Sequence, residues 1–170
     1  MNLNKNIVLI GMMGSGKSTI GYLLSKSANL KYVDIDKVIE KETGLKIYSI
    51  FQKKGEEYFR NLEEKITLKF LKSKKNIISL GGGGFINENI RKEVLNNNIS
   101  FWLKWKSSTI IQRILKSKKR PLTKNATEND LKKLINDRLK IYSEANFKIN
   151  CENLKKSMIT KQIIEIYEKN

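Results

Sequence analysis

The segment GMMGSGKS, Gly11 to Ser18, constrains this chain more than any other. It fits the pattern G-x-x-x-x-G-K-[ST]. It stands between an apolar run, Asn6 to Gly11, and a segment with helical periodicity, Ser18 to Ala28. A strand that runs through a glycine-rich turn into a helix is the context this motif requires. Glycines let the backbone curl until successive N–H groups converge on phosphate oxygens, and the following helix aims its positive end at the same anion. Lys17 then reaches the β- and γ-phosphates, and the Ser18 hydroxyl is offered to Mg²⁺. The implication is a nucleoside triphosphate site.

The rest of the chain repeats the strand-then-helix theme. Short β-type runs fall at Lys31–Asp34, Asn76–Leu80, Ser100–Leu103 and Phe147–Asn150. Helical patterns fall at Asp36–Thr43, Ile47–Lys53, Glu56–Leu71, Glu88–Leu95, Ser107–Leu115, Asn129–Ala145 and Ser157–Tyr167. In the third of these, Phe59, Leu62, Ile66 and Phe70 recur on one face. Alternating strands and helices predict a three-layer α/β/α fold around a central, mostly five-stranded parallel sheet. The 170 residues suit one domain, and no linker or repeat divides them. The polar stretch from Lys116 to Thr127 holds the only proline, Pro121, and is the expected mobile lid.

Composition narrows the chemistry. No histidine occurs and Cys151 is the only cysteine, which excludes histidine-based metal sites, Ser-His-Asp catalysis and an internal disulfide framework. Catalysis must rest on carboxylates, Lys, Arg, hydroxyls, backbone amides and a bound ion. The net charge is +17, but lysines are spread along nearly every segment. That spread suits compositional drift and a general attraction for small anions, so no nucleic-acid partner is expected. No apolar run reaches the roughly 18–20 residues of a membrane span. The short apolar N-terminus leads straight into the glycine motif and reads as a first strand, so the expected location is cytoplasmic.

Three further features stand at predicted strand ends or helix starts. Asp34-Ile35-Asp36 ends the second strand, where the ligand crevice of an open parallel sheet lies. Alternation along an extended segment would send both carboxylates to one side, for Mg²⁺ and a substrate hydroxyl; the competing role is the N-cap of the next helix. Gly81-Gly82-Gly83-Gly84 follows the third strand and allows close approach of backbone N–H groups to an anion, or merely a flexible connection. In GEEYFRNLE, Arg60 and Glu63 lie three apart on a helix and can pair, as many surface pairs do.

In order and spacing, GMMGSGKS, DID, IFQKKGEEYFRNLEE, SLGGG, RPL and DRLKIY resemble the shikimate kinase family of nucleoside-monophosphate-kinase-like P-loop folds. The resemblance covers residues 6 to 145. It implies ATP-dependent phosphorylation of the 3-hydroxyl of shikimate, with Mg²⁺, by a monomer. By the same resemblance, Gly14, Ser15, Gly16, Lys17, Ser18 and Thr19 bind ATP. Arg113 lies near the adenine, and the lid residue Arg120 approaches the transferred phosphate. Ser18 and Asp34 serve the metal. Asp36 contacts the substrate hydroxyls and is the natural proton acceptor, so Lys17, Asp36 and Arg120 are the catalytic set. Arg60 and Arg138 hold the substrate carboxylate, Gly81, Gly82 and Gly83 form the turn beneath it, and Phe51 and Phe59 line the pocket. Glu63 orients Arg60. Gly84 and Phe85 depart from the smaller apolar residues the family often carries there.

The basic residues sharpen this reading. Only five of the 34 are arginine, namely Arg60, Arg91, Arg113, Arg120 and Arg138. Four of them match a family role. Bidentate and stacked sites need the planar guanidinium, whereas exposed charges accept lysine equally well. Arg91 lies outside every motif, so its replacement is expected to be nearly silent. A gluconate-type kinase would not need this arginine pair around a glycine turn. A GTP switch would carry N-K-x-D, which is absent.

Overall fold

The structure is a computed structural model and describes residues 5–116 and 127–170. The elements run β1 (Ile7–Ile10), α1 (Lys17–Ala28), β2 (Lys31–Asp34), α2 (Ile35–Thr43), α3 (Ile47–Leu71) and β3 (Asn76–Ser79). A 3-10 turn (Gly84–Ile86) follows, then α4 (Glu88–Asn97), β4 (Ile99–Lys104), α5 (Ser107–Lys116), α6 (Glu128–Tyr142), β5 (Phe147–Asn150) and α7 (Lys156–Tyr167). The expected lid and Arg120 lie outside the described residues apart from the flanking Lys116 and Thr127.

All five strands are parallel, in the order β2-β3-β1-β4-β5. β1 is central and reads Ile-Val-Leu-Ile with every residue buried, as expected for a strand covered on both faces. Strand alternation divides those side chains between the faces. Ile7 and Leu9 pack with α1 and α7 through Ile20, Leu24, Ile159 and Ile163. Val8 and Ile10 join the larger cluster built on α2 to α6, including Ile39, Ile66, Ile90, Ile110 and Ile135. Each such fully buried aliphatic side chain contributes about 1.5–3 kcal/mol. Cys151 follows β5, fully buried in the smaller cluster, and burial pushes its thiol up to about 12.

At the amino ends of the strands, Asn6 ties neighbouring segments together. Its amide donates to Leu71 O (3.0 Å), Ser73 O (2.6 Å) and Asn98 Oδ1 (2.7 Å), and its own oxygen accepts from Asn76 N (2.9 Å). The carboxyl ends carry the loops that matter here. α3 is two helices broken at Gly55, whose φ of 85° lies in the left-handed region. That break falls between the two segments the sequence separates. Phe85, the residue that departs from the usual small apolar side chain, is fully buried and anchors the 3-10 turn in the core.

Candidate active site

The phosphate loop is built from glycines that no other residue replaces without strain. Gly11, Gly14 and Gly16 have φ of 143°, 85° and 91°. The last is the N-cap of α1, whose first residues Lys17, Ser18 and Thr19 therefore open beneath the loop. Lys17 Nζ donates to Gly11 O (2.7 Å) and Met12 O (3.0 Å), which holds the ammonium across the mouth of the loop. Two residues distant in sequence hold the loop from outside. Trp105 Nε1 donates to Ser15 O (2.9 Å), and Arg113 Nη1 donates to Gly14 O (3.2 Å). The Ser15 hydroxyl is buried and has no hydrogen-bond partner among the described residues.

Beside the loop, Ser18 Oγ donates to Asp34 Oδ2 (2.8 Å), and Tyr32 OH donates to the same oxygen (3.1 Å). Burial pushes the Tyr32 phenol up to about 12, so it remains a donor across the working pH range. The other Asp34 oxygen accepts from Lys37 N (3.4 Å) and caps α2. β2 ends at Asp34 and α2 begins at Ile35, so Asp36 lies in the first helical turn. The expectation that strand alternation aligns the two aspartates is corrected: the chain turns helical between them, and Asp34 also performs the capping role. The hydroxyl and carboxylate of Ser18 and Asp34 form an all-oxygen pair of the kind Mg²⁺ accepts alongside phosphate oxygens and water. Among the described residues no group of three or more acidic or thiol side chains forms a cage of its own.

The second basin lies around the glycine turn. Asp36 as a residue is exposed, yet burial of its carboxyl by the surrounding protein and the Asp34 charge raise it above the ordinary range, against the pull of Lys17 and Arg60. Glu63 is buried, and burial raises it too, while Arg60 opposes the rise. Arg60 Nη1 donates to Glu63 Oε2 at 2.6 Å, and its Nε and Nη2 each donate to Glu56 Oε1 at 3.2 Å. Of the five N–H donors on a guanidinium, two remain for a ligand among these contacts. The Phe51 and Phe59 rings lie 4.6 Å apart, with the Arg60 guanidinium 5.1 Å from the Phe59 ring.

Gly81, Gly82 and Gly83 are packed between these groups. A Cβ on Gly81 would collide with Glu63 Oε1 and stand 2.9 Å from Asp36 Oδ1; one on Gly83 would stand 2.6 Å from Arg60 Nη1. The turn therefore needs glycine for close approach. From α6, Arg138 Nη1 donates to Gly82 O (3.0 Å), and the buried Tyr142 hydroxyl donates to the same oxygen. Arg91 donates from Nη1 to Phe85 O (3.2 Å) and Ile86 O (3.0 Å) and pairs through Nε with Glu144 (3.1 Å). Arg91 thus ties down the turn that follows the glycines, a set of contacts that the sequence does not reveal.

The structure brings Lys17, Ser18, Asp34, Asp36, Arg60, Arg138, Phe51, Phe59 and Gly81 to Gly83 to the carboxyl side of the sheet, with Arg113 against the outside of the loop. Sequence reasoning missed Trp105, Tyr142 and Arg91 as parts of this assembly. Tyr142 had a signal, standing four residues after Arg138 on one helix face. Trp105 also had one, following β4 at the ligand end of the sheet.

An open parallel sheet with a phosphate loop after β1 and a second, arginine-rich basin beside it defines a P-loop phosphotransferase of the nucleoside-monophosphate-kinase-like class. Residues 13–168 match the family described as shikimate kinase. The shikimate kinase of Persephonella marina is 42% identical over 161 residues, which cover 94% of this chain and 97% of the relative. Among solved structures, shikimate kinase from Aquifex aeolicus is 37% identical with a TM-score of 0.86, covering 97% of both chains. Shikimate kinase from Acinetobacter baumannii in complex with shikimate is 29% identical with a TM-score of 0.91, covering 98% of this chain and 94% of that one. This chain belongs to the shikimate kinase family.

Proposed function

We propose the following division of labour for an ATP-dependent phosphorylation of shikimate at its 3-hydroxyl, on the route to chorismate and the aromatic amino acids. One observation carries it: Asp36 lies within electrostatic reach of both Lys17, at the phosphate loop, and Arg60, beside the glycine turn that Arg138 also contacts. Phosphoryl transfer asks a protein mainly for positioning and charge neutralisation, and the arrangement supplies both.

In this reading Gly14, Ser15, Gly16, Lys17, Ser18 and Thr19 hold the triphosphate, and Arg113 lies along the adenine. Ser18 and Asp34 would hold Mg²⁺, which when bound neutralises charge on the phosphate oxygens. The two remaining N–H donors of Arg60, together with Arg138, grip the acceptor carboxylate; Glu63 and Glu56 fix the plane of the Arg60 fork. Gly81, Gly82 and Gly83 carry the ring of the acceptor, and Phe51 and Phe59 close the apolar side. Asp36, whose carboxyl is raised, orients the 3-hydroxyl and takes its proton. Arg120, outside the described residues, is assigned to the transferred phosphate, with the 116–127 segment as the lid that excludes water.

The enzyme in this reading is a monomer formed of a single kinase domain, 1–170. No helix among the described residues is long and apolar enough to cross a membrane, and the assigned place of action is the cytoplasm. A coupled ADP-release assay with shikimate, gluconate and nucleoside monophosphates tests the proposal. Turnover that depends on shikimate alone is the expected result; equal or better turnover with another acceptor overturns it.

A further inference from the structure

Trp105 joins two parts of the nucleotide side that lie far apart in the chain. Its indole N–H reaches Ser15 O across 90 positions of sequence, at 2.9 Å. A trans peptide directs its C=O and N–H to opposite sides, and no cis bond occurs among the described residues. Holding the Ser15 carbonyl outward therefore turns the Gly16 N–H away from the indole and fixes one of the amides the loop offers to an anion. The flat face of the same indole carries the Arg113 guanidinium, 3.7 Å from the ring centroid. Arg113 is otherwise exposed and spends one N–H on Gly14 O. One side of the guanidinium is thus covered by the indole, beside the phosphate loop.

We infer that Trp105 is a positioning residue for the nucleotide: its N–H pins the phosphate loop while its ring holds Arg113 flat as a stacking surface for the base. This rests on the reading of Arg113 and the loop as the ATP site, and adds a residue that couples them. Trp105 also packs against both apolar clusters, half-buried at the end of β4. A residue that served only that packing would be replaced by phenylalanine at little cost to nucleotide binding.

The test is calorimetric binding of the Mg²⁺ complex of the β,γ-imido analogue of ATP, without shikimate, so that the acceptor's identity does not enter. Trp105→Phe keeps a ring face and loses the donor; its Kd rises about three- to ten-fold, the scale of one neutral hydrogen bond. Trp105→Leu loses both, and its Kd rises a further roughly two- to five-fold, the scale of an exposed cation–π contact. In an Arg113→Gln background the difference between the two replacements disappears. The shikimate KM of each variant stays within about two-fold of wild type, as expected for a loss confined to the nucleotide side. Wild-type nucleotide affinity in Trp105→Phe overturns the inference, as does a shikimate KM that rises in step, or a Phe-to-Leu difference that persists without Arg113. Wild-type protein that binds the nucleotide but ignores shikimate would instead defeat the acceptor assignment and leave the role of Trp105 standing.

Discussion

Arg91 and Glu144 form an ion pair, Nε to Oε2 at 3.1 Å, that joins the first turns of α4 to the chain just beyond α6. The same guanidinium caps the carbonyls of Phe85 and Ile86. One planar cation thus ties the segment after the glycines to the helix that carries Arg138. Lysine keeps the charge but offers no fork with which to span three acceptors. Arg91→Lys is expected to cost about 1–2 kcal/mol of stability, the scale of one or two lost hydrogen bonds, and to raise the shikimate KM a few-fold with the ATP KM unchanged. Urea unfolding and steady-state kinetics measure both. Unaltered stability would place Arg91 among ordinary surface cations.

Arg60 and Arg138 are expected to resist the same replacement more strongly. Arg60 spans Glu56 and Glu63 while keeping donors for a ligand, and Arg138 reaches Gly82 O from α6. Losing one hydrogen bond to a charged group costs about 1.5–3 kcal/mol, so kcat/KM for shikimate should fall roughly 10- to 150-fold in Arg60→Lys and in Arg138→Lys. The ATP KM should hardly move. Losses as small as those at Arg91 would mean that charge alone suffices at these positions.

The raised carboxyl of Asp36 has a kinetic consequence. A base must be ionised to accept a proton, and kcat/KM reports the free enzyme. The acid limb of kcat/KM for shikimate is therefore expected above the ordinary carboxylate range of about 4. Asp36→Asn should abolish most turnover while leaving ATP binding nearly intact. For stability the sign follows from linkage. A carboxyl held above its unfolded value binds its proton more tightly in the folded chain, so the contribution of Asp36 and Glu63 weakens as pH rises through the raised values. A limb at or below about 4 would remove Asp36 as the proton acceptor.

Gly81→Ala tests the close packing of the turn. The added methyl meets Glu63 Oε1 and Asp36 Oδ1, and Glu63 has little freedom to yield because its other oxygen is held by Arg60 at 2.6 Å. Both the arginine fork and the aspartate must shift. The shikimate kcat/KM is expected to drop about ten-fold or more, on the scale of one misplaced charged hydrogen bond, with the ATP KM little changed. If the variant's shikimate kinetics match wild type, the turn has slack that its present packing does not suggest.

Much of this was legible in the sequence because the signals are local. The buried IVLI run, the glycine spacing before Lys17 and the break at Gly55 each act through backbone preferences a few residues long. The relative placement of Asp34 and Asp36 was not legible, since two residues at a strand end do not reveal where the helix begins. Arg91, Trp105 and Tyr142 were missed for another reason. All three donate to backbone carbonyls 5 to 90 positions away, and a carbonyl leaves no trace in residue identity. The scarcity of arginine pointed to Arg91 as strongly as to the other four; only the assumption that roles end where motifs end set it aside.

The lone thiol of Cys151, sealed in the core and held far from ionisation, gives the folded chain a built-in stopwatch. Alkylation needs the thiolate, so reagent can react only during excursions that expose β5 and its surroundings. A single covalent tag per molecule, timed by mass, then counts those openings without any added label. Comparing the rate with and without nucleotide asks how far an occupied phosphate loop restrains the β4–β5 edge at the same carboxyl end of the sheet, where Cys151 N donates to Lys104 O at 2.9 Å.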